Sequence, residues 1–222
     1  MQRYLKNASE IEVYFNIKMN GILGVKRVDR EGEIHFSVSP DNAMTLNKQD
    51  IKQWYPMRVT YSREMKIKAL LDEAGIDSFI PMHYVEKTIK DKTTRNYEPV
   101  IHNLIFIYES RSCIDNLKSI SLRELRYIMD RENHSPIIIP TKQMDDFIAV
   151  AATDDEQTMY LDAQDVALKR GDRVRILSGI WKGVEGKFVR IKRGLRVVVE
   201  IQGIMAIATA SLHPSLVEKI DV

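Results

Sequence analysis

Over residues 1–50 apolar side chains fall on alternate positions: Ile11, Val13, Phe15, Ile17 and Met19, then Leu23 and Val25, then Ile34, Phe36 and Val38. Period 2 turns one face of an extended chain toward a core. With Asn20-Gly21 and the Asp29–Gly32 segment as turns, the pattern predicts a three-stranded meander. From Trp54 the pattern changes. A strand over Trp54–Thr60 gives way to Ile67, Leu70, Leu71 and Ala74 at helical spacing, with Ser62 as the N-cap and Gly75 as the stop. A strand around Phe79–Glu86, a polar hairpin region and a strand over Val100–Tyr108 follow. The run Leu104-Ile105-Phe106-Ile107-Tyr108 is apolar on both faces, as a central strand requires. A short helix around Ser112–Ser119, a strand near Tyr127–Asp130 and a helix capped by Thr141, with Met144, Phe147, Ile148 and Ala151 on one face, complete this part.

Strand, helix, strand, strand, helix, strand is the order of a ferredoxin-like split βαβ sandwich. Farther on, short strands recur at Arg173–Leu177, Val184–Ile191, Leu195–Ile201 and Met205–Ala210, with Val217–Ile220 closing. That spacing predicts a small antiparallel barrel, which removes exposed sheet edges. The expected fold class is α+β: a β-rich extension of unknown role over 1–50, a ferredoxin-like domain over 51–150, and a barrel over 166–222. Residues 151–165 carry Asp154, Asp155, Glu156, Asp162 and Asp165 and no basic side chain, and read as an acidic linker.

Length and composition narrow the class. The 222 residues suffice for more than one core, and 44% hydrophobic with 29% charged residues excludes intrinsic disorder. The longest apolar run, Phe147–Ala152, falls far short of the roughly 20 residues that cross a bilayer, and the N-terminus lacks a secretory apolar segment. Cys113 is the single cysteine, so no intrachain disulfide forms, and a cytoplasmic location is expected.

Enzymatic constellations are missing from the pattern. His35, His83, His102, His134 and His213 show no close pair spacing and no CxxC accompanies them, so no metal is expected. Gly183–Lys187 resembles a phosphate loop only superficially, because Trp181 stands where the first glycine belongs and Phe188 where a hydroxyl would hold magnesium. No cofactor and no catalytic residue is predicted, and the chain is expected not to be an enzyme.

The strongest local signal is Gly171-Asp172-Arg173-Val174-Arg175-Ile176, followed by Gly179, Trp181, Gly183 and Gly186. The glycines punctuate a tight connection between strands where positive φ or close backbone approach excludes a Cβ. Alternation sets Val174 and Ile176 inward, with Arg173 and Arg175 outward beside Lys182 and Lys187, a basic surface for nucleic acid or protein. This segment resembles the KOW motif of SH3-like barrels in transcription elongation factors and ribosomal proteins. With it placed, Trp54-Tyr55-Pro56-Met57-Arg58-Val59, Leu70-Leu71-Asp72-Glu73, Phe79-Ile80-Pro81-Met82, Asn103-Leu104-Ile105-Phe106-Ile107 and Ser135-Pro136-Ile137-Ile138-Ile139-Pro140 resemble the N-terminal domain of the NusG family. Pro81-Met82 and Ser135-Pro136 look closest to the specialised RfaH and UpxY paralogues. Where the family commonly has an aromatic-Pro-Gly/Asn-Tyr turn, this chain has Ile101-His102-Asn103-Leu104. Residues 1–50 have no counterpart in that pattern, and Met44 is an alternative start.

The resemblance implies a monomeric, non-enzymatic regulator of transcription elongation and antitermination, acting at operons such as capsular polysaccharide loci. Its first domain would hold the clamp region of the largest RNA polymerase subunit closed, through Leu104, Phe106, Tyr55 and Tyr61. Leu104 is the foremost candidate, with a contiguous apolar patch expected around it. Lys87, Lys90, Lys92 and Arg95 would form a basic hairpin near the DNA channel. The barrel would meet nascent RNA, non-template DNA or a ribosomal protein; no membrane is involved. A ribosome- or RNA-binding KOW protein acting in translation is the alternative. One relative stores its barrel sequence as a helical hairpin, but Val197, Val198, Val199 and Ile201 form a β-branched run, and Gly179, Gly183, Gly186, Gly194 and Gly203 disfavour helix. A β-barrel tumbling independently on the acidic linker is therefore expected.

Overall fold

The computed structural model describes residues 15–19, 22–28, 34–38, 51–89, 92–153, 157–162, 171–201 and 203–220. The turns Asn20-Gly21 and Asp29–Gly32, Met44, Lys90, and the linker acids Asp154, Asp155, Glu156 and Asp165 lie outside the described residues. The chain divides into two compact units, Met1–Lys48 and Gln49–Val222. In the first, β1 (Phe15–Met19), β2 (Ile22–Val28) and β3 (Ile34–Val38) form an antiparallel sheet in chain order.

The second unit begins with β4 (Gln53–Val59), α1 (Glu64–Glu73), β5 (Asp77–Phe79), and a long hairpin of β6 (Met82–Ile89) and β7 (Lys92–Pro99). β8 (Leu104–Glu109), α2 (Arg111–Ile120), β9 (Leu125–Tyr127) and α3 (Thr141–Ala151) follow. The main sheet has the order β5-β8-β4-β9. β4 and β5 both run antiparallel to β8, so they are parallel to each other with β8 between them. Alternation along β4 and β8 sends Tyr55, Met57, Val59, Ile105 and Ile107 to one face, where Ile67 and Leu71 of α1 and Ile114 of α2 cover them. Each fully buried side chain of this size stabilises by about 1.5–3 kcal/mol. Trp54, Leu104 and Phe106 point the other way, under α3.

Three local expectations change. Ser62 is not the cap of α1: Arg63 takes that position, Ser62 has φ of 49°, and its N–H donates to Asn103 Oδ1 at 2.8 Å. Pro140, not Thr141, precedes the first helical residue of α3. The strand expected over Phe79–Glu86 breaks at Ile80-Pro81; proline has no N–H to donate to a ladder, and β6 leaves the main sheet to pair with β7 alone.

The C-terminal part comprises β10 (Met159–Leu161), β11 (Asp172–Ile176), β12 (Glu185–Ile191), β13 (Gly194–Ile201), β14 (Met205–Ala208), a 3-10 turn (Pro214–Leu216) and β15 (Val217–Lys219). They make an antiparallel sheet in the order β10-β14-β13-β12-β11-β15. β10 arises inside the stretch read as a linker and pairs with β14. The sequence segment is thus strand rather than helix, as expected. It is not free of the preceding domain, contrary to expectation. Val174, Ile176, Trp181, Val197, Val199, Ile201, Met205 and Ile207 share one apolar cluster with Met144, Phe147 and Val150 of α3 and with Trp54 and Phe106 of the main sheet.

Candidate functional site

α3 is the element on which this molecule turns. Phe147 is fully buried, with its ring centroid 6.3 Å from that of Phe106 and 6.4 Å from that of Phe79, so it fastens the helix to the main sheet. Polar groups on and just beyond α3 reach the C-terminal sheet. Trp181, 5% exposed, donates from Nε1 to Thr153 Oγ1 at 3.1 Å. The Gln143 amide donates to the Glu200 carbonyl, and Lys142 Nζ to the Gly183 carbonyl at 3.1 Å. Asp146, 6% exposed, binds Lys142 at 2.5 Å and accepts the backbone N–H of Glu185. Burial pushes its carboxyl above the ordinary carboxylate range, against the opposing pull of Lys142 and that N–H.

Of the predicted polymerase-facing residues, Leu104 is 3% exposed and Phe106 is fully buried, both on the α3 side of the sheet. Leu104 itself presents almost no surface to solvent. Its position on β8, paired with Arg58 and roofed by the α3 cluster, makes it core despite the turn before it. Tyr55 is buried on the opposite face, its ring 5.6 Å from that of Tyr127. Tyr61 alone of the four is exposed, at 82%, in a left-handed backbone conformation (φ 62°) with Arg63 over its ring at 5.7 Å. The structure therefore does not bring these four together on one surface.

Register places Lys87, Lys92 and Arg95 along the β6–β7 hairpin. Lys87 pairs with Glu98, which holds that carboxylate low, and the Arg95 guanidinium lies 4.1 Å from the Tyr84 ring centroid. Lys92 is exposed beside the tip. In the C-terminal sheet Val174 is buried while Arg173, Arg175 and Lys182 are exposed and Lys187 is half-buried. Arg175 is tied to Glu185 at 2.8 Å and Glu218 at 3.3 Å, so its charge serves the strand ladder. Gly171 immediately precedes β11, Gly179, Trp181 and Gly183 lie in the connection to β12, and Gly186 is the second residue of β12. Gly183 needs its φ of 89°, whereas Gly186 needs its lack of a side chain: a Cβ there would stand 2.5 Å from the Val198 carbonyl oxygen.

Sequence reasoning missed Gln143, Asp146 and Thr153, which join the two halves, and the paired Tyr84 and Tyr97. The four-residue spacing of Lys142 and Asp146 was a visible helix-pair signal. The tyrosines become neighbours only once the hairpin register is known.

Among the described residues no group of three metal-ligating side chains occurs, and no helix is long and apolar enough to cross a membrane. Residues 52–148 match the family model described as transcription termination factor NusG. Over that stretch, somewhat under half of the chain, the protein is similar to NusG. A solved structure described as "Domain interaction in Thermotoga maritima NusG" is similar over 77% of this chain and 98% of its own, at 20% identity and a TM-score of 0.39. No curated protein matches the chain.

Proposed function

We propose that this protein is a bacterial regulator of transcription elongation and antitermination of the specialised RfaH and UpxY kind, acting at particular operons such as capsular polysaccharide loci. The observation that carries the reading is the NusG family match over residues 52–148. The sheet order β5-β8-β4-β9 supports it, being the strand order of a ferredoxin-like split βαβ domain. Residues 51–150 bind the clamp region of the largest polymerase subunit, and residues 166–222 act as the KOW barrel. No bond chemistry is needed: a factor that prefers the closed clamp shifts the clamp population toward closure and suppresses pausing. In the docked arrangement the barrel covers one flank of α3. This is the resting form, and polymerase meets the protein first through exposed elements such as the Tyr61 loop.

Affinity capture of bacterial polymerase with the tagged full chain, followed by cross-link mapping, tests the reading. Cross-links from residues 51–150 to the clamp of the largest subunit are expected. Recovery of ribosomal RNA and ribosomal proteins without polymerase would overturn it in favour of a KOW protein of translation.

A further inference from the structure

Met1–Lys48, a compact unit of its own, precedes the stretch that is similar to NusG, and its described residues form one layer, the antiparallel sheet β1-β2-β3. Register sorts the three strands into two unlike faces. Phe15, Lys26 and Phe36 make one cross-strand row, and Ile17, Gly24 and Val38 make the next row on the same face. Met19 beside Ile22 and Val28 beside Ile34 continue that face at its two ends. The opposite face has Lys18, Arg27, His35 and other polar positions around Leu23 and Val25. A three-stranded sheet with one apolar face is stable only when a second layer covers that face.

We propose that this face is a homodimer interface, covered by the same face of a second copy of the chain. The face is complementary to itself. Its middle falls at the level of Val25 in β2, and a two-fold axis through that level, running across the strands, lays each strand antiparallel over its own counterpart. That rotation exchanges position 26 with 24, 15 with 17, 36 with 38 and 22 with 28. The row that holds both phenylalanines thus meets the row that holds none, as interdigitating layers require. Each Lys26 meets the Gly24 of the other copy, where a glycine leaves room for a long stem. Eight of the ten positions on the face are apolar. At roughly 60–120 Å² of apolar surface for each such residue buried, a pair of copies removes about 1,000–2,000 Å² from water, the range of specific interfaces. The family resemblance implies a monomer, but the extension has no counterpart in that pattern, so the inference stands apart from the polymerase reading.

Sedimentation equilibrium of the full chain, from micromolar to submillimolar concentration, tests it. The mass should rise from 25.7 kDa toward twice that value. Phe36→Asp and Ile17→Asp should each raise the dissociation constant at least about tenfold, by setting a charge in the covered layer, whereas Arg27→Ser on the opposite face should leave it unchanged. Lys26→Met keeps an unbranched stem without the charge and should tighten the dimer, an outcome that unfolding of the sheet cannot mimic. In an equal mixture of isotope-labelled and unlabelled copies, intermolecular nuclear Overhauser effects should join Phe36 to Val38 and Phe15 to Ile17, a measurement that needs no variant. A single 25.7 kDa species at every concentration, association unaltered by both aspartate variants, or intermolecular effects confined to residues 49–222 would overturn the proposal. Weakening by Lys26→Met would overturn it as well, since a face that needs its lysine fits an acidic partner rather than a second copy.

Discussion

Replacing Trp181 with Phe and Gln143 with Ala in one chain removes two hydrogen bonds between the α3 region and the C-terminal sheet while leaving most of the apolar contact in place. Trp181 loses its donation to Thr153 Oγ1, and the Glu200 carbonyl loses the Gln143 amide. Thr153 keeps its bond to the Val150 carbonyl, so neither change strands a hydroxyl. Each lost bond costs about 0.5–1.5 kcal/mol. The two bonds share no partner, so their effects should add to about 1–3 kcal/mol, a factor of roughly 5–150 in the undocked population. The smaller Phe ring leaves a void whose cost has the same sign. The Glu185 N–H is the natural reporter, because it donates across the interface to Asp146. Native-state hydrogen exchange should show Glu185 protection falling by that factor while Val198, deep in the C-terminal sheet, keeps its own. Unchanged Glu185 protection would refute the account of docking. An equal fall at Val198 would show instead that the substitutions loosen the sheet itself.

Phe147→Ala should destabilise the protein by about 3–5 kcal/mol, read as a lowered denaturation midpoint, since the ring is fully buried against Phe79 and Phe106. Gly186→Ala should destabilise the C-terminal sheet by about 1–3 kcal/mol, because the new Cβ meets the Val198 carbonyl and Val197; amide chemical shifts of β12 and β13 would register the displacement. Asp146 has a carboxyl raised in the fold by burial, so its contribution to stability is present below the unfolded carboxylate pKa and is lost as pH rises through the folded value. Asp146→Asn, which keeps the neutral form at all pH, should therefore gain on the unaltered protein as pH rises above the ordinary carboxylate range in chemical denaturation; an identical pH profile would contradict the burial argument.

The two-sided apolar run Leu104–Tyr108 marked the central strand, and alternation marked the strands of the C-terminal sheet, because both are local properties of the chain. Burial of Leu104 was not legible, since it depends on α3 returning from forty residues away to roof that face. Docking left a trace that local reasoning passed over. Val197, Val198 and Val199 in succession supply one more apolar face than a small barrel with one interior can use. In the fold Val198 joins Val189, Ala206 and Ala208, whereas Val197 and Val199 join the α3 cluster. The run that argued for strand over helix therefore also argued for a second surface to bury. Trp181 carries the same double reading: set among turn glycines it looks like a lid on its own strands, yet its indole N–H donates to Thr153 beyond α3.

The docked arrangement also sets what a polymerase must supply if the α3 flank is part of its binding surface. Taking a population from 99 parts docked in 100 to 99 parts released requires a differential affinity of about 5.5 kcal/mol, and a partner that bound both forms equally would release nothing. The polar ties, at about 0.5–1.5 kcal/mol each, act together with the apolar cluster around Met144, Phe147 and Trp181, which is exposed to water on release unless a partner covers it. A partner that met only exposed polar groups, such as the Arg63 and Glu124 pair, could not repay the loss of that cluster. Release therefore calls for an apolar partner surface of comparable extent. Under that requirement Trp181→Phe with Gln143→Ala should strengthen polymerase capture by the same factor that it lowers Glu185 protection, because one equilibrium governs both.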